Sequence, residues 1–244
     1  MRMGTTTRTY GDILKLDELL HMQERIAEAP DTLFFITIHQ IYELWFMVML
    51  HELEQARAHL FRNDLRAARY HLVRVHQIER VLVAQVDTLE TMNARNFLAI
   101  RGRLDNTSGF QSAQFREIEF LSGLKDESYL GAVDVTPAER ERLRRRLAEP
   151  TLWDAFQAVH RRRGTPDLVE LTRTEAGDRE LLDVVEALLD HDEGLSLWRA
   201  RHVYMVERHI GAKHGTGGSS GVPYLQATLA KRFYPELWAI RSQL

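Results

Sequence analysis

Apolar residues recur along this chain at the three-to-four-residue spacing of amphipathic helices, and alternating β-branched runs are nearly absent, which argues against strands. The spacing predicts a first helix over 10–26, with Ile13, Leu16, Leu19 or Leu20 and Gln23 in step. Pro30-Asp31 ends it, and Asp31 can cap a second helix over 32–61. That segment is the most apolar in the chain, and a helix apolar nearly all round belongs at the centre of a fold. Further helices are predicted over 64–93, 96–106 and 111–121, with Phe110, Gln114, Ile118 and Leu121 on one side of the last.

From 122 to 195 the character changes. Thr136-Pro-Ala-Glu139 has the hydroxyl, proline and glutamate of a capping box. The helix it opens is dominated by Arg140 to Arg146 and reads as a solvated surface element. A helix over 152–159 meets Arg161-Arg-Arg-Gly-Thr-Pro166, expected to be a solvated turn, and 178–189 reads as a peripheral helix. Beyond it, Trp198, His202, Met205 and His209 fall at i, i+4, i+7 and i+11, one face of a helix that Gly211 can stop. Gly215-Thr-Gly-Gly-Ser-Ser-Gly221 forbids a regular element, and Pro223 suits the first turn of a helix running to about 234. The glycine loop thus delivers backbone N–H groups to a helix N-terminus, a setting that favours anions. No repeat or sustained heptad pattern is present. The expectation is a compact all-α fold over residues 1–244, with apolar inner helices, charged outer ones and a peripheral insert at 122–195.

Composition narrows the chemistry. A formal net charge of −3 argues against a nucleic-acid partner. The absence of cysteine excludes disulfides, thiolate catalysis and iron–sulfur clusters, and fits the cytoplasm. The N-terminus lacks the apolar core of a signal peptide, and the longest apolar stretch, 44–50, is too short to cross a bilayer. Eleven histidines offer ligands, yet no His-Glu-x-x-His pair, no recurring Glu-x-x-His and no Gly-x-Ser-x-Gly elbow occurs. What remains is a histidine-held cofactor in a helical, cysteine-free protein, and heme is the commonest of these.

Four blocks sharpen this. They are Thr9-Tyr-Gly-Asp-Ile-Leu-Lys-Leu-Asp-Glu-Leu-Leu20 with Gln23, Leu33-Phe-Phe-Ile-Thr-Ile-His-Gln-Ile-Tyr-Glu-Leu-Trp45, Phe97-Leu-Ala-Ile-Arg101 leading to Ser108-Gly-Phe-Gln-Ser-Ala-Gln-Phe-Arg-Glu-Ile-Glu-Phe120, and Leu197-Trp-Arg-Ala-Arg-His202 running on to Gly221 and Phe233-Tyr-Pro-Glu-Leu237. In this order the chain resembles the tryptophan 2,3-dioxygenase family, whose members open the pyrrole ring of L-tryptophan with heme b and O2. The resemblance implies that His202 is the proximal iron ligand and that His39 hydrogen-bonds the substrate indole. It implies that Phe35 and Phe97 pack on the indole, that Arg101 holds the substrate carboxylate, and that Thr216 meets its amino-acid end. Ser108 and Gly109 would line the pocket near a heme propionate, and Tyr10 would reach into a neighbour's pocket within a homotetramer. The expected product is N-formylkynurenine. Ile13 stands where the family often has a second tyrosine, and 122–195 is shorter than usual. Two other readings therefore stay open: a heme monooxygenase turning a substituted tryptophan such as β-methyltryptophan into an oxindole in natural-product biosynthesis, and a non-catalytic heme sensor or carrier.

Overall fold

A computed structural model describes residues 8–104, 107–132, 134–164, 167–173, 177–216 and 219–244, all of them helical or in connections between helices. Thr9 opens α1 (Tyr10–Leu14) with a capping box to Asp12. The single helix expected over 10–26 is instead broken at Lys15, whose left-handed backbone (φ 54°) ends α1 and starts α2 (Leu16–Leu19). Neither helix buries a residue, so no packing offsets the entropy of a longer one.

The frame follows. α3 (Thr32–Phe61) and α4 (Leu65–Leu89) are joined through a left-handed Asn63 (φ 61°), with the Asp64 carboxylate capping α4 at Ala67 N. Next come α5 (Ala94–Arg101), α6 (Ala113–Ser122), α7 (Tyr129–Ala132), α8 (Pro137–Ala148), α9 (Leu152–Arg163) and α10 (Leu168–Arg173). α11 (Arg179–Ile210), α12 (Val222–Ala227) and α13 (Pro235–Ile240) complete the chain. α3 and α11 both pack on α4, and α6 and α9 cover α3. Leu53, Leu72, Leu82, Leu188 and Leu195 are wholly shut from solvent in the resulting core. By length and composition α3 could cross a bilayer, a property the run 44–50 does not reveal; its packing between α4, α6 and α9 asks the same composition of a core helix.

The segments read as a peripheral helix over 178–189 and a separate one ending near 210 are one helix of 32 residues. Gly194 lies inside it against the Glu79 side chain of α4, whose Oε2 and Cβ would stand 2.4 and 3.2 Å from a Cβ built there, so glycine gives Glu79 room against α11. The helix expected over 223–234 stops at Ala227 and is followed by a 3₁₀ turn, Thr228–Ala230. The reason lies in α11. Asp192 Oδ2 accepts the N–H groups of Phe233 (3.0 Å) and Tyr234 (3.1 Å) and the indole N–H of Trp238 (2.9 Å), which draws that backbone out of a helix.

Two charged stretches each turn one arginine inward. α8 keeps the predicted Thr136 capping box, yet Leu143 is wholly buried and Arg146 is 6% exposed, bound to Glu54 (2.5 Å) and Glu149 (2.9 Å). Arg161 to Arg163 form the last turn of α9 instead of a connecting turn; Arg161 and Arg162 are exposed, as expected of a solvated cluster, while Thr165 and Pro166 lie outside the described residues. Arg163 there binds Asp178 (2.7 Å), Glu180 (3.2 Å) and Asn63 Oδ1 (3.0 Å).

Candidate active site

A cavity of about 780 Å³ is bordered by α3, α5, α6 and α11 and by the connections that follow α5 and α11. Of the nine residues expected at a site, all but Tyr10 border it. Tyr10 stands on α1 with 75% of its surface exposed and meets nothing of this cavity.

α3 presents Phe35 and His39 one turn apart, so the two rings meet at 4.2 Å between centroids. His39 Nδ1 lies 2.7 Å from the Phe35 carbonyl oxygen. Burial holds the His39 pKa below its ordinary value against the opposing pull of that carbonyl and of Glu43. A neutral ring whose Nδ1–H donates to Phe35 leaves Nε2 as an acceptor. The tautomer is therefore set by the helix that carries the ring.

α5 begins at Asn93, whose side chain accepts from Asn96 N (2.9 Å), and presents Phe97 and Arg101 one turn apart. Phe97 packs 6.2 Å from Phe35 and edge-on to His209 at 5.3 Å. Arg101 Nη2 donates to the His214 carbonyl, and Thr216 Oγ1 donates to the Thr107 carbonyl at 2.7 Å. These two bonds tie the glycine-rich connection after α11 to the connection after α5. Gly221 (φ 74°) closes that loop, where a Cβ would meet the Lys213 carbonyl oxygen at 2.4 Å. Gly217 and Gly218 of the predicted loop lie outside the described residues. The helix behind the loop, α12, has only six residues, so the predicted anion-binding helix end is a short one. Ser108 caps a 3₁₀ turn, Gly109–Gln111, by a reciprocal pair with Gln111.

His202 comes from α11. Trp198, one turn earlier, stacks on it at 5.2 Å and 14° and also contacts Phe46, Phe115 and Tyr42. Among the described residues no group hydrogen-bonds the His202 ring. Burial first, and second the repulsion that two protonated rings, His39 and His202, would feel, push its pKa down to about 4, so the ring is neutral at physiological pH. It is set deep in the protein yet keeps accessible surface, because it faces the cavity.

The same wall holds residues that sequence spacing passes over: Arg116 and Glu119 on α6, Arg199 on α11, and Tyr224 on α12. The available signal was charge inside an apolar block. Nearly every residue of α6 is buried, so Arg116, Glu117 and Glu119 must find partners there.

This arrangement joins a neutral unpartnered imidazole, a second imidazole with a fixed acceptor, a guanidinium and a hydroxyl around one apolar space. A sequence profile of tryptophan 2,3-dioxygenase matches residues 1–168 and 168–244. The chain belongs to the tryptophan 2,3-dioxygenase family. It is 52% identical to a tryptophan 2,3-dioxygenase of Nocardioides sp., with 97% of this chain and 94% of that protein aligned. It is 44% identical to that of Herpetosiphon aurantiacus (97% and 98% aligned) and 42% identical to that of Anaeromyxobacter sp. strain K (97% and 96%). Membership of the tryptophan 2,3-dioxygenase family thus rests on nearly the whole chain and includes every segment that borders the cavity.

Proposed function

We propose that this protein is a heme-dependent oxygenase of L-tryptophan that places both atoms of O2 across the indole C2–C3 bond, giving N-formylkynurenine. The observation that carries this reading is the unpartnered, neutral His202 on the wall of a large apolar cavity shared with His39, Arg101 and Thr216. The residues fit a porphyrin. Among the described residues no three His, Asp or Glu side chains are grouped to hold a bare ion, so an iron on His202 would take its remaining ligands from a macrocycle. Among the described residues the Trp198 indole N–H is buried without a hydrogen-bond partner beside that ring, as befits a wall that a bound group completes.

Heme held by His202 would supply the ferrous iron that activates O2. The remaining work falls to side chains. His39 Nε2, free to accept, suits the indole N–H and would orient C2 and C3 toward the iron. Arg101 spends one donor on the His214 carbonyl and keeps others for a carboxylate. Thr216 donates its hydroxyl hydrogen to Thr107, so its lone pairs face outward and suit an ammonium group. Guanidinium for carboxylate and hydroxyl oxygen for ammonium match the two ends of a zwitterionic amino acid. Phe35 and Phe97 supply an apolar wall for the indole and exclude water.

The same reading includes assembly as a homotetramer in the cytoplasm. α1, α2 and the residues after them expose Tyr10, Ile13, Leu14, Leu20 and Met22, an apolar arm that a neighbouring copy would cover. Light scattering of the pure protein checks this, and a monomer would remove Tyr10 from any pocket.

The deciding experiment mixes anaerobic ferrous protein with L-tryptophan, β-methyltryptophan or tyrosine and then O2. The expected outcome is N-formylkynurenine from L-tryptophan, identified by mass as a gain of two oxygen atoms. A gain of one atom, on the methylated substrate, would replace the dioxygenase by a monooxygenase. Reversible O2 binding without product would leave a carrier.

A further inference from the structure

Arg116 and Arg199 are 8% and 3% exposed, border the cavity, and share a single carboxylate, that of Glu119, itself 3% exposed. Arg116 Nη1 takes Glu119 Oε2 at 2.5 Å and Arg199 Nη2 takes Oε1 at 2.9 Å, so both oxygens are engaged. Arg199 Nη1 also reaches the Lys231 carbonyl at 3.4 Å. Nε of each guanidinium is buried with no hydrogen-bond partner among the described residues. The nearby Lys231 and Asp126, 3.8 Å apart, cancel one another. The rings around the two arginines are neutral: Phe110, Phe115 and Tyr129 around Arg116, and Phe233 against Arg199. Among the described residues, two buried guanidiniums thus share one carboxylate in direct contact, and a guanidinium cannot discharge itself by losing a proton. Such a wall calls for an anion. Arg199 precedes His202 by three residues and so lies next to it on the surface of α11.

We propose that Arg116 and Arg199, bridged by Glu119, seat a carboxylate arm of the tetrapyrrole whose iron His202 would hold. This rests on the heme reading above. A carboxylate in this cavity has two sources, the porphyrin side chain and the amino acid, and Arg101 with Thr216 already matches the amino acid. The pair on α6 and α11 is thus left to the porphyrin.

The test titrates the metal-free protein with hemin and with hemin dimethyl ester, whose carboxylates are blocked, following absorbance and the rate of hemin loss to a scavenging apoprotein. Wild type is expected to bind the ester about tenfold or more weakly than hemin, as befits loss of a charge-assisted hydrogen bond. Arg116→Gln and Arg199→Gln should lose hemin about tenfold faster and cease to distinguish the two porphyrins, while Arg199→Lys keeps the distinction. Variants that still distinguish them, or that change only the KM for tryptophan, would overturn the assignment and give these arginines to the substrate. Should the glutamine variants not fold, equal binding of hemin and ester by wild type overturns it alone. Binding of neither porphyrin would instead bring down the heme reading, and this seat with it.

Discussion

His191 and His202 lie eleven residues apart on α11, three helical turns and nearly the same face, yet they do opposite things. His191 is wholly buried, with Nδ1 2.6 Å from Glu79 Oε1 and Nε2 2.8 Å from Ser122 Oγ. A serine, a histidine and a glutamate in line have the connectivity of a hydrolytic triad, but none of the three borders the cavity and none meets solvent. No substrate can reach that serine. His202 has the same side chain on the same helix, no hydrogen bond among the described residues and an open space before it. His209, further along, has Nδ1 2.7 Å from the Met205 carbonyl oxygen and Nε2 2.9 Å from that of Met92, so it ties α11 to the segment preceding α5. A buried histidine with both nitrogens engaged holds helices together. One left without partners beside a cavity is available for chemistry.

The sharpest way to break this comparison is to remove each side chain in turn. His202→Ala is expected to abolish oxygenation and the absorption spectrum of histidine-ligated heme, with thermal stability of the metal-free protein little changed. An axial-histidine spectrum surviving in that variant would move the ligand elsewhere. Glu79→Ala should do the reverse: it strips a partner from a buried pair and costs about 3–5 kcal/mol of stability, read by urea unfolding, while folded protein keeps the wild-type heme spectrum. A loss of heme without loss of stability would mean that the Glu79–His191 pair serves the cofactor after all.

A smaller effect is expected where the site meets the substrate. Arg101→Gln removes a charged donor worth about 1.5–3 kcal/mol, so kcat/KM for L-tryptophan should fall by about 10–100-fold with heme binding intact. An unchanged value would release Arg101 to its structural bond with the His214 carbonyl. Thr216→Val should cost less, about tenfold, through the neutral hydroxyl contact and its tie to Thr107. Equal activity in that variant would mean that the ammonium group finds its partner elsewhere.

Much of the frame is legible in the residues, and the gaps have physical causes. The apolar run 32–61 announces a core helix, and Thr136 with Glu139 announces the start of α8. The resemblance to a family carries eight residues that the fold then brings around one cavity. Spacing alone could not rank His39, His202 and His191, because periodicity gives a face and says nothing of what stands opposite. The continuity of α11 through Gly194 was hidden because glycine reads as a breaker, while here it admits Glu79. The end of α12 was hidden because the competing hydrogen bonds come from Asp192, some forty residues away in sequence. Arg116, Glu119 and Arg199 stand inside the resembling blocks but draw no role from the sequence, because a charged residue normally signals surface and only their burial on α6 and α11 shows otherwise.

The smallest effect lies in how protons at His202 act on folding. His202 in the folded, metal-free chain has a pKa near 4, against 6.5 for an ordinary imidazole. Above pH 6.5 the ring is neutral in both states and leaves stability unchanged. As pH falls from 6.5 toward 4 the unfolded chain binds a proton that the folded chain refuses, so stability declines by about 1.4 kcal/mol per pH unit. His39, also held below its ordinary value, adds a decline of the same sign. Urea unfolding of the metal-free protein at about pH 7.5 and about pH 5.5 should therefore show a loss of stability that His202→Leu reduces by about 1.4 kcal/mol. Parallel losses in parent and variant would mean that His202 takes up its proton within the fold, and that its place on the cavity wall is wetter than a seat for a porphyrin should be.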